Sequence, residues 1–316
     1  RDHAELTGEY IRLSAERYGG MINDSWLDRP LSVAGRVLVR REGGLEARLV
    51  DLKRDVALIP RVAIHLNRET NSGIKYDPAR DLVALYAAGT GSGSFYREVA
   101  RTADCAPEDV VAGDLVLYNN QPGTVWGPEG EFVSAPRLDD LACVFACTEG
   151  FLTAQERDMV PVLCVFDNEE IGSETKQGAA SVFLPETLAA ISEALGLSAA
   201  DHRALLADSM MLSCDNGHAR HPNHPELADT NEAPVPNGGV VVKHSPRYAT
   251  DGVSAAVFTE LCRRAEVPVQ HYANRPDQMG GATLGNIADT KLPIPTVDIG
   301  MAQLAMHSCF ETMGSR

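Results

Sequence analysis

Apolar and polar positions along the chain follow two different rhythms. Up to about residue 112 the apolar runs are short and mostly alternate. Positions 32–41 (SVAGRVLVRR) and 45–52 (LEARLVDL) repeat every second residue, and Glu42, Gly43 and Gly44 between them supply hairpin-turn chemistry. The runs 61–66 (RVAIHL) and 81–89 (DLVALYAAG) continue in the same β-like style. Helical spacing of Leu6, Tyr10 and Leu13 predicts a helix over 6–18, and a second helix is predicted near 93–103. Residues 1–112 therefore read as a β-rich, mainly antiparallel domain with a flanking helix.

From residue 113 onward strands alternate with helices. Strands are predicted over 114–119, 131–135, 159–166, 209–214, 239–243, 267–272 and 295–300, and helices over 141–155, 186–196 and 252–265. The run 159–166 (MVPVLCVF) is continuously apolar, as a strand covered on both faces of a parallel sheet is. This alternation predicts an α/β domain over 113–316 with a largely parallel central sheet. The stretch 216–237 is loop-rich, with several prolines, asparagines and histidines.

Composition narrows the partners. Hydrophobic residues make up 44% of the 316, enough for a core, and 44 acidic against 28 basic residues give a net charge of −16. Nucleic-acid binding wants a basic face, and docking to an anionic membrane is equally disfavoured. The longest apolar run, 159–166, has eight residues, well short of the roughly 20 that span a bilayer. No secretory signal opens the sequence, which starts at Arg1 rather than Met. The seven cysteines are scattered and lack a CxxC pair, which reads as reduced thiols in a cytoplasmic protein.

Chemistry concentrates after the predicted strands, where ligand sites of α/β sheets lie. Asp139 and Asp140 follow the strand ending at Ala135. Asp167, Glu169 and Glu170 follow Phe166. Asp215, His218, His221 and His224 follow Cys214, and His307 follows the last strand. Each has an ordinary explanation alone: a helix N-cap for Asp140, an Asx turn for Asp215, a solvated acidic turn for the Glu pair, a polar loop for the histidines. Four such loops at four strand ends point to a shared metal site instead. Adjacent Glu169 and Glu170 diverge in direction, so one can bind a metal while the other takes a proton from the attacking water. Carboxylate and imidazole donors suit Zn²⁺, or Mn²⁺ and Co²⁺, and a carboxylate shared between two ions makes a two-metal hydrolytic site.

The segments VAIHLNR, SAPRLDDL, FDNEEIGS, SCDNGHARHPN, RYATDGVSAAV and MAQLAMHS, in this order, resemble the aspartyl aminopeptidase family of zinc metallopeptidases across essentially the whole chain. The resemblance implies a zinc-aminopeptidase-like α/β catalytic domain with a β-rich dimerisation domain inserted in it. It also implies homo-oligomers in which dimers assemble into a tetrahedral dodecamer. Asp139 resembles the carboxylate bridging two zinc ions, Glu169 the general base, and Glu170, Asp215 and His307 the other ligands. His218, Lys243 and Tyr248 resemble substrate-contacting residues, and His65 one that reaches a neighbouring subunit's site. The implied substrates are peptides with a free N-terminus, preferably Asp or Glu, cleaved at the first peptide bond.

The family's further metal-binding His, in a His-Thr-Asp segment ahead of the inserted domain, has no counterpart in these residues. The chain also ends nine residues past His307, and so reads as a piece cut at both ends. Asp140 stands where the family often has Asn. Three alternatives stay open: a broad or leucine-preferring aminopeptidase, an inactive shell-forming or metal-binding subunit, and a related aminoacylase or carboxypeptidase. The IHLNR module argues against the last.

Overall fold

The computed structural model describes residues 2–4, 9–89, 94–155, 159–278 and 280–316. Two compact units are formed, Arg1–Pro122 and Gly123–Arg316. The division falls after residue 122 rather than 112. The reason is the strand Val110–Asn119, expected in the α/β part, which instead pairs along the long strand Pro30–Arg41 of the first unit.

The first unit is built on one sheet of seven strands: β1 (Asp2–Ala4), β2 (Tyr10–Leu13), β3 (Pro30–Arg41), β4 (Gly44–Asp51), β5 (Ala57–Leu58), β6 (Ala84–Ala88) and β7 (Val110–Asn119). The order is β1-β2-β6-β5-β3-β4, with β7 also paired to β3. Its pairings are antiparallel. The β3–β4 hairpin is as read from the sequence, with Arg41 opposite Gly44 and Gly43 at positive φ. Leu31, Val33, Val37 and Val39 of β3 face the core, and each such burial stabilises by about 1.5–3 kcal/mol. Gly35 occupies the same row at φ +150°, where a Cβ would lie 2.0 Å from the Asp114 carbonyl oxygen of β7. Two short helices, α1 (Pro78–Asp81) and α2 (Ser94–Thr102), complete the unit, and α2 buries Phe95 and Val99 against the sheet.

Two sequence expectations fail in this unit. No helix forms over 6–18 among the described residues (5–8 lie outside them). Tyr10–Leu13 is strand β2, paired with β6, and buries Ile11 and Leu13 with a period of two. The run 61–66 is no strand either. His65 lies in a turn there, and Val62, Ile64 and Leu66 are exposed.

The second unit carries β8 (Thr124–Trp126), β9 (Phe132–Ala135), α3 (Leu138–Thr153), α4 (Phe183–Ala194), α5 (Ala199–Ala207), β10 (Met211–Cys214) and β11 (Gly217–His218). After these come β12 (Val240–His244), α6 (Gly252–Arg264), β13 (Val269–Ala273), α7 (Leu284–Asp289), β14 (Thr296–Gly300), β15 (Ala302–Leu304) and β16 (Glu311–Gly314). The central sheet runs β10-β14-β12-β13. Its β10–β14 and β12–β13 pairs are parallel and its β12–β14 pair antiparallel, so the sheet is mixed with a parallel majority. Helix α6 starts at Asp251, whose side chain accepts from the Val253 and Ser254 amides. It packs Ala255, Phe258 and Cys262 against Val242, Val297 and Ile299. A second sheet runs β11-β15-β16-β9-β8.

The strand expected over 159–166 is not formed: residues 161–166 join no ladder. Cys164 and Phe166 pack beside Leu184, Leu292 and Ile294, whereas Val162 and Val165 are exposed, so only one side of the run is covered. The cysteines are free thiols, and no described helix is long and apolar enough to cross a membrane.

Candidate metal centre

The candidate ligands sit on four loops of the second unit. Between β9 and α3 the chain turns through Arg137 in the left-handed region, and Asp139 and Asp140 depart from helical angles at the start of α3. The peptide bond between these two aspartates is cis. The regular turns of α3 begin only after this kink, and the Arg137 side chain caps nothing. After Phe166, a tight turn through left-handed Asn168 places Glu169 and Glu170 in one short 3-10 turn closed by Gly172. Asp215 follows β10, and its amide donates to the Ile299 carbonyl (3.0 Å). That close approach requires Gly300, where a Cβ would lie 1.9 Å from the Asp215 carbonyl oxygen. His307 lies in the left-handed region between β15 and β16.

These loops converge. The His307 Nε2 atom is 3.1 Å from Oε2 of Glu170 and 3.5 Å from Oδ2 of Asp139. Asp139, Glu170 and His307 each bring one donor atom within 4.8 Å of the others, and so do Asp139, Asp140 and Asp215. Asp139 is common to both groups. Oδ1 of Asp139 and Oδ1 of Asp140 are buried and meet no hydrogen-bond donor. Orphaned carboxylate oxygens in these groups fit a divalent cation, and the oxygen and imidazole donors suit zinc.

The charges agree with that fit. Burial, reinforced by Asp215, pushes Asp140 up to about 8. Glu169 is pushed up to about 7 by burial and then by Asp215, Glu170 and Asp139. Burial also raises Glu170 and Asp215, against the opposing pull of His307 and Lys243 respectively. Crowded, desolvated carboxylates in this state are short of positive charge.

The Lys243 ammonium at the end of β12 is fully buried. It donates to Oδ2 of Asp215 (3.0 Å) and to the Asn216 carbonyl (3.1 Å), and lies 5.4 Å from the Tyr248 ring centroid. The His218 ring stands edge-on to Tyr272, 6.1 Å between centroids. His221 and His224 lie outside the described metal-type clusters, with the His224 ring against Glu226. His65 belongs to the first unit and is exposed.

Two buried residues escaped sequence reading. The Asn216 side chain ties four partners together: it accepts from the Cys143 thiol and the Met301 amide, and donates to the Leu138 carbonyl and to Gln303. Glu311 accepts from the backbone amides of both Asp139 and His307. Neither carries a motif: one is a lone amide, the other a lone acid at the head of a strand.

An α/β unit whose loops gather carboxylates and an imidazole has the donor set of a zinc-dependent hydrolase. Residues 2–316 match the aminopeptidase I zinc metalloproteases (M18), and the chain belongs to that family. A probable M18 family aminopeptidase 2 of Clostridium acetobutylicum is 42% identical over 327 residues, covering all of this chain and 75% of that protein. A protein of the same description from Mycobacterium tuberculosis is 40% identical over 313 residues, covering 96% of this chain and 72% of its own length. Among solved structures, Ape4 in its complex with Nbr1 superposes with a TM-score of 0.93 at 29% identity, over 99% of this chain and 65% of that one. The S. cerevisiae mApe1 dodecamer superposes at 0.82 with 31% identity, over 97% and 70%.

Proposed function

We propose that this chain carries out the family's aminopeptidase reaction with a preference for N-terminal Asp or Glu, using two metal ions. The observation that supports it most is the position of Asp139 in two ligand groups at once, the relation a bridging carboxylate requires. Asp139, Glu170, Asp215 and His307 would hold the metal, zinc foremost, with Mn²⁺ or Co²⁺ suited to the same donors. When bound, such a pair supplies Lewis-acid polarisation of the scissile carbonyl and of water. Glu169 stands beside Glu170 but belongs to neither ligand group. It is free to accept the proton of the attacking water and to return it to the leaving amine. The surplus of carboxylates around the site favours a substrate's positive α-ammonium, which restricts cleavage to the free N-terminus.

For the side chain of the first residue, Lys243, His218 and Tyr248 supply the local polar groups. Two of the three Lys243 donors are taken by Asp215 and Asn216, which leaves one for an acidic group. His65 stands among exposed Val62, Ile64 and Leu66, an arrangement suited to contact with a second copy. From the resemblance to the aspartyl aminopeptidases, and in keeping with the dodecamer that S. cerevisiae mApe1 forms, we infer a homo-oligomer, built from dimers into a tetrahedral dodecamer, with His65 completing a neighbour's pocket and the β-rich unit serving as the dimerisation domain. The negative net charge and free thiols suit a cytoplasmic enzyme without nucleic-acid or membrane partners.

A panel of aminoacyl anilides with added zinc tests the reading. Asp- and Glu-anilides should be cleaved fastest and their N-acetylated forms not at all. Faster cleavage of Leu-anilide would replace the acidic preference with a broad or leucine-preferring one. No cleavage of any member would favour an inactive shell-forming subunit.

A further inference from the structure

We propose that Glu311 is a positioning residue, which fixes Asp139 and His307 as a pair through their main chains and thereby sets the metal affinity of the site. The inference rests on the reading of Asp139 and His307 as ligands.

Glu311 opens β16 opposite Ala135, the last residue of β9. It therefore stands beside the point where the chain leaves the sheet for Asp139. Its side chain is buried, the residue being 2% exposed. Oε2 accepts from the Asp139 amide (2.9 Å) and Oε1 from the His307 amide (2.7 Å). One carboxylate thus bridges two segments that are distant in sequence.

Both amides need an acceptor from outside the regular ladders. Asp139 has φ −86° and ψ 110° at the head of α3, where helical partners are lacking. His307 sits at φ +65° in a turn, a left-handed conformation unfavourable for a non-glycine residue. A partly buried amide left without an acceptor is destabilising as well. Glu311 satisfies both at once, and only a group with two acceptor oxygens can. A glutamine in its place offers one, because its nitrogen donates. Partners of this kind, one step removed from the metal, commonly change affinity 10- to 100-fold when lost.

The test uses Glu311→Gln and Glu311→Ala with three readouts: zinc affinity by competition against a chromogenic chelator, melting of the metal-stripped protein, and kcat and KM at saturating zinc. The isosteric Gln variant keeps the test valid should the Ala variant fail to fold. Zinc binding should weaken about 10-fold in Gln and about 100-fold in Ala. KM should stay within about twofold of wild type, and lost turnover should recover as zinc is raised. Zinc affinity unchanged in the folded Gln variant, with only the melting temperature lowered, would make Glu311 merely structural and overturn the inference. A wild-type protein that binds no zinc would instead overturn the ligand reading beneath it, and the inference with it.

Discussion

The Lys243 ammonium and the Asp215 carboxylate form an ion pair at 3.0 Å, with side chains only 2% and 16% exposed. Removing one partner of a buried pair leaves an uncompensated charge and costs about 3–5 kcal/mol. Lys243→Ala should therefore lower the stability of the metal-stripped protein by about that amount in denaturant unfolding. The loss should be smaller with zinc, since a cation then faces Asp215 in place of the ammonium. Activity on Asp-anilide should fall more than on Leu-anilide. Equal losses on the two substrates would remove Lys243 from the side-chain pocket and leave it only the role of holding Asp215.

Glu169 belongs to neither candidate ligand group, so its proposed role as base can be tested apart from metal binding. Glu169→Gln should keep the full metal content and lose about 100-fold or more in kcat. Metal analysis and steady-state kinetics on one preparation check both. Near-normal turnover would remove Glu169 from the role of base.

Stability without metal should depend on pH in an unusual direction. Burial lifts Asp140 to about 8, and Glu169 and Glu311 to about 7. The same groups in an unfolded chain titrate near about 4. Between about pH 4 and 8 the folded protein then holds more protons than the unfolded one, and stability falls as pH rises. The metal-stripped protein should melt higher at about pH 5.5 than at about pH 8. Zinc should shrink or reverse that difference, because ligands bind metal deprotonated. A melting temperature that climbs with pH in the stripped protein would contradict the crowding of these acids.

Asp298 in β14 is fully buried, and accepts from the Ser213 hydroxyl (2.6 Å), the Thr283 hydroxyl (2.7 Å) and the Ala249 amide (2.5 Å). Asp298→Ala strands three donors, each worth about 1–3 kcal/mol when left unpaired. A loss of about 3 kcal/mol or more is expected in urea unfolding, together with a raised KM, since the Ala249 amide neighbours Tyr248. An unchanged unfolding midpoint would show that water takes over these bonds.

The sequence made legible those features that residue type and period encode. The β3–β4 hairpin follows from alternation broken by Gly43 and Gly44, and α6 from its apolar spacing between turn residues. Asp139, Glu170, Asp215 and His307 could be picked out as ligand types in loops, and the structure groups Asp139 with Glu170 and His307, and Asp139 with Asp140 and Asp215. Segments whose pattern depends on a partner were read poorly. Tyr10 and Leu13 suit a helical period, but Ile11 and Leu13 suit a period of two, and the pairing with β6 decides. The run 159–166 has the composition of a covered strand, yet no neighbouring ladder takes up residues 161–166. Glu311 and Asn216 were illegible for another reason. They act through hydrogen bonds to main-chain groups and single side chains that only the folded geometry assembles.

Because Asp139 belongs to both ligand groups, zinc content in wild type and in Asp139→Asn bears most directly on the proposed centre. Plasma mass spectrometry on gel-filtered protein should find two zinc ions per chain in the wild type and close to none in the variant. A variant that retains the wild-type complement, or a wild type that retains none after incubation with zinc, would contradict a metal centre at these residues.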